Sequence, residues 1–438
     1  MRKLLIVFLA ICLSSVSSAW AMLSMELTQG VFGAVPIAIV PFAIQGQTPP
    51  QDVAAIISND LQNSGRFKVW TKNQLTQFPA SVSEVSFDYF KTVGVDNAVI
   101  GKIEQVDGYY TVKVELLDVA KGKNHAALPE IVLFEQKFNA NPAELRALAH
   151  HISDQIYQTI TGVRGVFSTR LAYVVVRQAA RGAPHYFLEV SDQDGYNPRP
   201  LLNSSDPIMS PAWSPNGKQI AYVSFENKKS AIYIEEVASG QRNRVSGFPG
   251  INGAPAWSPD GKKLAVVLSK SGSPNIYILD LASHHLTQLT NDYYINTEPT
   301  WSPLNNSIAF TSNRSGSPQI YQINLQTRAV TRLTYDGKYN ARASFTADGN
   351  HLIMLNQDGG LYNVGFLDLD AGVFRILTHF NADSESPSIA PNGTMALFGT
   401  LYQGKSVLGM VSVDGHIQIR LPALDGEVQD PAWSPFLS

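Results

Sequence analysis

The chain has 438 residues, 44% of them hydrophobic and 16% charged, with a formal net charge of −3 and a single cysteine. That apolar fraction is enough to fill more than one core and excludes an intrinsically disordered chain. The slight acidity disfavours nucleic acid as a partner, and one thiol excludes a disulfide scaffold or a zinc–thiolate centre.

Arg2-Lys3, the apolar run Leu4 to Leu13 and Ala19-Trp20-Ala21 form the basic, hydrophobic and cleavage regions of a secretory signal peptide over residues 1–21. Mature protein is then expected to begin near Met22, with two positive charges fewer. Cys12 falls inside the signal, and Ile11 before it is bulkier than a lipoprotein signal wants, so cleavage after Ala21 is preferred to lipidation. No later apolar run is long enough to span a bilayer. An exported, soluble product is expected.

After a short segment over residues 22–34, residues 35–162 read as an independent mixed α/β domain. Val35-Pro-Ile-Ala-Ile-Val-Pro-Phe42 predicts a buried strand. Asp52 can cap a helix that places Val53, Ile56, Ile57 and Leu61 on one face and ends at Gly65. Strands are predicted at Arg66–Trp70, Asn97–Glu104, Tyr109–Val119 and Glu130–Phe138, with Val106-Asp107-Gly108 as a hairpin turn and a helix around Phe87–Val93. Asn141-Pro142 opens the clearest helix, striped by Leu145, Leu148, Ile152, Ile156 and Ile160 and stopped by Gly162. Residues 163–168 are the linker to a repetitive C-terminal region.

From about Asn203 the sequence repeats every 44 residues. Pro211-Ala-Trp213-Ser-Pro215-Asn-Gly217 returns around Trp257 and Trp301, and the same step reaches Phe345, Ile389 and Trp433. Apolar pairs at Ile220, Leu264, Ile308 and Leu352, Ile-Tyr at 232, 276 and 320, and Leu-Thr at 289, 333 and 377 keep the same register. Four landmarks per period, separated by Asp-Gly or Asn-Gly turns, are the pattern of a four-stranded propeller blade. The first unit, near Thr169, lacks a Trp strand, while the last consists only of Pro431-Ala-Trp433-Ser-Pro435. Pairing the two closes a ring and leaves no open edge, which favours six blades over 169–438 against an open solenoid.

Catalytic signals are missing. The sequence holds no G-x-S-x-G, H-E-x-x-H or phosphate-binding glycine loop. His150-His151 and His284-His285 are adjacent pairs whose side chains diverge on a helix or strand, so neither is a natural chelate. The repeated Asp-Gly pairs read as turns and not as calcium loops. Trp213, Trp257, Trp301 and Trp433 recur at one register and read as packing between blades, not as an aromatic cage. Function is therefore sought where the repeats differ, in the residues that lead into each Trp strand and rim one mouth of the channel. Three positions before the Trp slot the ring reads Ser210, Ala254, Glu298, Arg342, Ser386 and Asp430. One earlier it reads Met209, Gly253, Thr297, Ala341, Glu385 and Gln429, and before that Ile208, Asn252, Asn296, Asn340, Ser384 and Val428. Such a mixed polar rim suits a protein or peptide ligand.

Pro36-Ile-Ala-Ile-Val-Pro-Phe42, Asn63-Ser-Gly65, Thr169-Arg-Leu-Ala-Tyr-Val174 and the Ala-Trp-Ser-Pro-Asp-Gly repeats together resemble the TolB family, periplasmic proteins of the Tol-Pal system. Ser191-Asp-Gln-Asp-Gly-Tyr-Asn197, Asn252-Gly-Ala-Pro255, Asn296-Thr-Glu-Pro299 and Ala390-Pro-Asn-Gly-Thr-Met395 are also similar to it. The resemblance implies an α+β multidomain chain with a six-bladed propeller, no enzymatic activity and no cofactor or metal. It implies a monomeric periplasmic hub that binds the lipoprotein Pal at the propeller mouth and TolA through the N-terminal segment, supporting outer-membrane integrity and constriction at cell division. Carried over by motif, the Pal-facing residues are Asn252, Ala254, Thr297, Glu298, Arg342 and Met209, with Ile251 standing where members often have histidine. The mobile TolA-facing segment is Met22 to Ala34, with Glu26, Leu27, Gly30, Val31 and Gly33. Its two glycines would let it bend or detach. A propeller-bearing hydrolase or a glycan-binding module is the alternative.

Overall fold

A computed structural model describes residues 26–29, 33–124, 126–179, 182–304, 306–379, 381–421 and 426–437. The signal peptide, Gly30 and Val31 lie outside them.

In the N-terminal domain, Val35–Ile39 lies between Phe67–Trp70 and Asn97–Val106, all parallel. Tyr109–Asp118 and Val132–Ala140 extend the sheet antiparallel, and Ala43–Gln45 adds to Asn97–Val106. Alternation explains why the first strand is apolar throughout. Ile37 and Ile39 enter a core with Val53, Ile57, Leu61, Ile152 and Ile156, while Ala38 and Val40 enter a second with Phe90, Ile100 and Leu117. Both faces are covered, as a central parallel strand requires.

Both predicted caps form. Asp52 Oδ1 accepts from the Ala55 N–H at 3.0 Å. Asn141 Oδ1 accepts from Ala143 and Glu144, and the Glu144 carboxylate accepts in return from the Asn141 N–H at 3.0 Å, a capping box. The helix proper runs Leu145–Thr161 and ends at Gly162, which takes φ +77°. One boundary differs from expectation: Leu128–Ile131 makes a helical turn with a proline in its first turn, so the strand predicted from Glu130 begins at Val132.

Residues 163–168 are pinned rather than free. Asp154 accepts from the Phe167 N–H at 2.8 Å and the Ser168 N–H at 3.2 Å, and Val166 and Phe167 are buried.

The remainder forms six antiparallel sheets around a channel, in agreement with the 44-residue register. The C-terminal strand Glu427–Trp433 is the innermost strand of blade one, paired with Arg170–Arg177 and continued by His185–Asp192 and Arg199–Ser204. Blades two to six begin at Ile208, Asn252, Asn296, Tyr339 and Ser384. The indole N–H of Trp213, Trp257 and Trp301 donates to the carbonyl of Ala432, Ala212 and Ala256 at 3.0–3.1 Å. Each Trp is thus bonded to the inner strand of the blade before it. Turn chemistry accounts for the repeated Asp-Gly: Asp260 accepts from Ser258 Oγ at 2.6 Å while Gly261 takes φ +71°.

Blade six has a fifth strand. Glu26–Gln29 adds antiparallel to Gln418–Leu421, with Glu26 opposite Arg420 and Leu27 opposite Ile419. Residues 26–29 of the segment expected to be mobile pair here, along what would be an open sheet edge.

Candidate functional site

Each inner strand carries one irregularity at one place. Ser210, Ala254, Glu298, Arg342, Ser386 and Asp430 all have φ between +44° and +52°, and the strand register shifts beside every one of them. These are bulges built from non-glycine residues in the left-handed region, at about 1–2 kcal/mol each. The bulge brings six side chains to one level of the channel, lining a cavity of about 490 Å³.

Five of the six are joined. Glu298 accepts from Arg342 Nε at 2.9 Å, from the Arg342 N–H at 3.0 Å and from Thr311 Oγ1 at 2.8 Å. Arg342 Nη1 donates to Ser386 Oγ and reaches Asp430 at 3.3 Å. Ser386 Oγ donates to Asp430 at 2.7 Å, and the Ser210 N–H meets the same carboxylate at 3.3 Å. Ala254 fills the sixth place without a polar group. Channel burial disfavours charge on Arg342, but Glu298 and Asp430 outweigh it and hold the guanidinium above its ordinary value.

The two ends of the channel differ in accessibility. The N-terminal domain packs on the end where inner strands finish: Arg66 pairs with Asp414 at 2.9 Å, and the Arg164 carbonyl accepts from Asn392 Nδ2 at 2.9 Å. The opposite mouth, where the inner strands begin, exposes apolar side chains. Met209, Phe248 and Ile295 are well exposed, Ile251 is 50% exposed, and Tyr293 and Tyr335 are 80% and 73% exposed. A rim of exposed aliphatic and aromatic groups around a polar cavity is the composition of a protein-binding surface.

Two family models match the chain: "TolB amino-terminal domain" over residues 23–125 and "TolB beta propeller domain" over residues 157–437. The chain belongs to the TolB family. "Tol-Pal system protein TolB" of Coxiella burnetii is 57% identical, covering 100% of this chain and 99% of that one. Its namesake from Legionella pneumophila is 57% identical over 95% of this chain and 96% of its own length. The crystal structure of TolB from Acinetobacter baumannii superposes with a TM-score of 0.86 at 38% identity, covering 94% of this chain and 100% of that one. The protein is thus a component of the Tol-Pal system, with the propeller and α/β domain of its family.

Within that TolB fold, the residues singled out from sequence occupy three layers. Met209 is exposed at the mouth, and Thr297 is half-buried on the same register. Ala254, Glu298 and Arg342 lie one step deeper, in the channel ring. Asn252, the first residue of its inner strand, stands at the mouth end but is only 1% exposed: its Oδ1 accepts from Ser246 Oγ and the Phe248 N–H, and its Nδ2 donates to the Phe248 carbonyl at 2.7 Å. Asn296 and Asn340 are equally buried and fasten the corresponding loops through Asp292 and Asp336. These three asparagines shape the mouth from within. Sequence reasoning missed Ile295, Tyr293 and Tyr335, although Ile251 and Ile295 recur 44 residues apart as apolar residues beside polar neighbours. Glu26 and Leu27 are on the added strand of blade six, and Gly33 takes φ +88° at the entrance to the α/β domain.

Proposed function

We propose that this chain is a periplasmic, non-enzymatic adaptor that binds the lipoprotein Pal at the open propeller mouth and TolA through its N-terminal segment. In that role it supports outer-membrane integrity and constriction during division. One observation carries the Pal reading: the mouth opposite the N-terminal domain exposes Met209, Ile251, Tyr293, Ile295 and Tyr335 around the ring-lined channel. Tyrosine and aliphatic anchors around a polar centre are what a protein partner buries. The ring also supports an adaptor over a hydrolase. Glu298 and Asp430 spend their carboxylates on Arg342, Thr311 and Ser386, rather than standing free as an acid–base pair.

The TolA reading rests on Glu26–Gln29, a short strand added at the edge of a blade and joined to the body through Gly33. A strand held by one edge ladder is the kind of element that can exchange between its own body and a partner. Calorimetry with purified Pal and TolA domains tests both assignments. Thr297→Arg should lower Pal affinity at least tenfold and leave TolA binding intact, and deletion of residues 22–34 should do the reverse. Equal loss of both partners in either variant would sink the division of labour, and turnover of a peptide or glycan library would sink the adaptor reading.

A further inference from the structure

The helix Leu145–Thr161 faces the propeller with a set of ionisable groups that the partner-binding reading does not use. His150 is 3% exposed and its Nδ1 lies 2.8 Å from Asp60 Oδ2, which also accepts from Ser153 Oγ at 2.6 Å. Across the domain boundary, the turn after the third strand of blade one presents Asp192 and Asp194. Donor atoms of Asp60, His150 and Asp194 lie within 4.8 Å of one another. Arg146, one helical turn before His150, reaches Asp192 at 3.3 Å and also contacts Asp194, and its guanidinium stacks on Tyr196 with 3.8 Å to the ring centroid. His150 Nε2 is buried with no hydrogen-bond partner.

We propose that the domain junction is a proton-sensitive clamp: His150, oriented by Asp60, faces the Asp192–Asp194 turn as an imidazolium, and loss of its proton loosens the two domains. Charge bookkeeping favours this state. With His150 neutral, three carboxylates at the boundary face Arg146, with Arg170 acting on Asp192 from farther off, whereas protonation supplies a further cation in a site that water reaches poorly. Arg146 already occupies the Asp194 carboxylate, which makes the cluster a poor host for a divalent ion.

The other charged groups point the same way. Burial disfavours the imidazolium, but Asp60 and Asp194 outweigh it and raise His150 above its ordinary value. Burial raises Asp60, Asp154 and Asp192 as well, with Arg170 acting on Asp192 in the opposite sense. The docked state therefore binds the His150 proton more tightly than the separated one, from which Asp194 is withdrawn. Asp60 stays beside His150 when the domains part, so the docking-dependent share comes from Asp194; it is present while the ring is protonated and is lost as pH rises through the raised value. Because Glu26–Gln29 leaves the N-terminal domain to pair with blade six, loosening the junction would also act on that strand.

Spin labels on Lys72→Cys and Ala282→Cys, in protein beginning at Met22 and so without Cys12, read the junction as a distance distribution. A narrow distribution at pH 6 should broaden by pH 8.5, with the midpoint at the pH where the His150 ring titrates by NMR. His150→Gln should be broad at both pH values. A distribution that does not change with pH, or an unchanged pH response in His150→Gln, overturns the clamp. If His150→Gln does not fold by circular dichroism, Asp194→Asn decides. It should lower the midpoint, and an unmoved midpoint overturns the proposal.

Discussion

Arg342 and Glu298 are 44 residues apart and stand at equivalent positions of adjacent blades, joined both by a side-chain ion pair at 2.9 Å and by the Arg342 N–H to Glu298 Oε2 at 3.0 Å. One carboxylate therefore ties the backbone and the side chain of the next blade at once. Both groups sit on left-handed bulges, so the contact also holds two strained backbone positions in place. The repeat supplies the platform, and this departure from it fixes two blades relative to each other.

Replacing Arg342 should cost stability out of proportion to its exposure. In Arg342→Leu, Glu298 and Asp430 face the channel without their shared cation, and the expected loss is about 2 kcal/mol, below the full value for a deeply buried pair because the Arg342 side chain is 38% exposed. Adding Glu298→Gln to the same chain should recover part of the loss, since it removes one of the stranded charges. Urea denaturation of both variants checks this. A strictly additive double variant would show that the two residues do not act together.

Ala254 tests the bulge itself. It takes φ +44° and contributes no polar side chain to the ring. Ala254→Gly should relieve the left-handed penalty, partly offset by the entropy of the unfolded chain, for a net gain of up to about 1 kcal/mol. Ala254→Val, branched at Cβ, should lose at least about 1 kcal/mol. Thermal melts of both variants, with the Arg342–Glu298 pair intact, read the difference.

The register of Trp213, Trp257 and Trp301 carries blade number and closure, because packing between equivalent blades demands the same residue at the same place. The bulges are not legible in the same way, since Ser, Ala, Glu, Arg and Asp do not announce a positive φ. Five of the six bulge residues precede a proline, which within an inner strand belongs at a bulge, and that is the available signal. Asn252, polar and in a loop, reads from sequence as a mouth contact. Its recurrence as Asn296 and Asn340 marks it as scaffold, by the same reasoning that applies to Trp. The pairing of Glu26–Gln29 with blade six, and the meeting of Asp60, His150 and Asp194, join residues far apart in sequence. Such contacts leave no local periodicity to read.

Trp257 makes the indole bond that Phe345 in the equivalent slot cannot. Trp257→Phe should therefore fold, losing about 1 kcal/mol for the bond to Ala212 together with a small packing term. Trp257→Ala should lose about 3–5 kcal/mol, because it opens a cavity between blades two and three. Equal losses in the two variants would show that the bond, and not the ring volume, dominates.

The added strand of blade six should be removable without harm to the propeller. Leu27 pairs with Ile419 at the outer edge of the sheet, and a proline there removes a backbone donor and clashes with strand pairing. Leu27→Pro should make the amides of residues 26–29 exchange at the rate of an unstructured peptide, while the inner strands of blade six keep their protection and the unfolding free energy in urea changes by less than about 0.5 kcal/mol. Hydrogen exchange with mass spectrometry resolves the two regions in one experiment. If the N-terminal segment is the TolA site, a variant that no longer has to leave the blade should bind TolA more tightly through a faster association rate, provided Leu27 itself is not a contact. That condition is checked with Ile419→Pro, which attacks the same ladder from the blade side. Slow exchange at residues 26–29 in both variants would show that something other than the Gln418–Leu421 edge holds the segment.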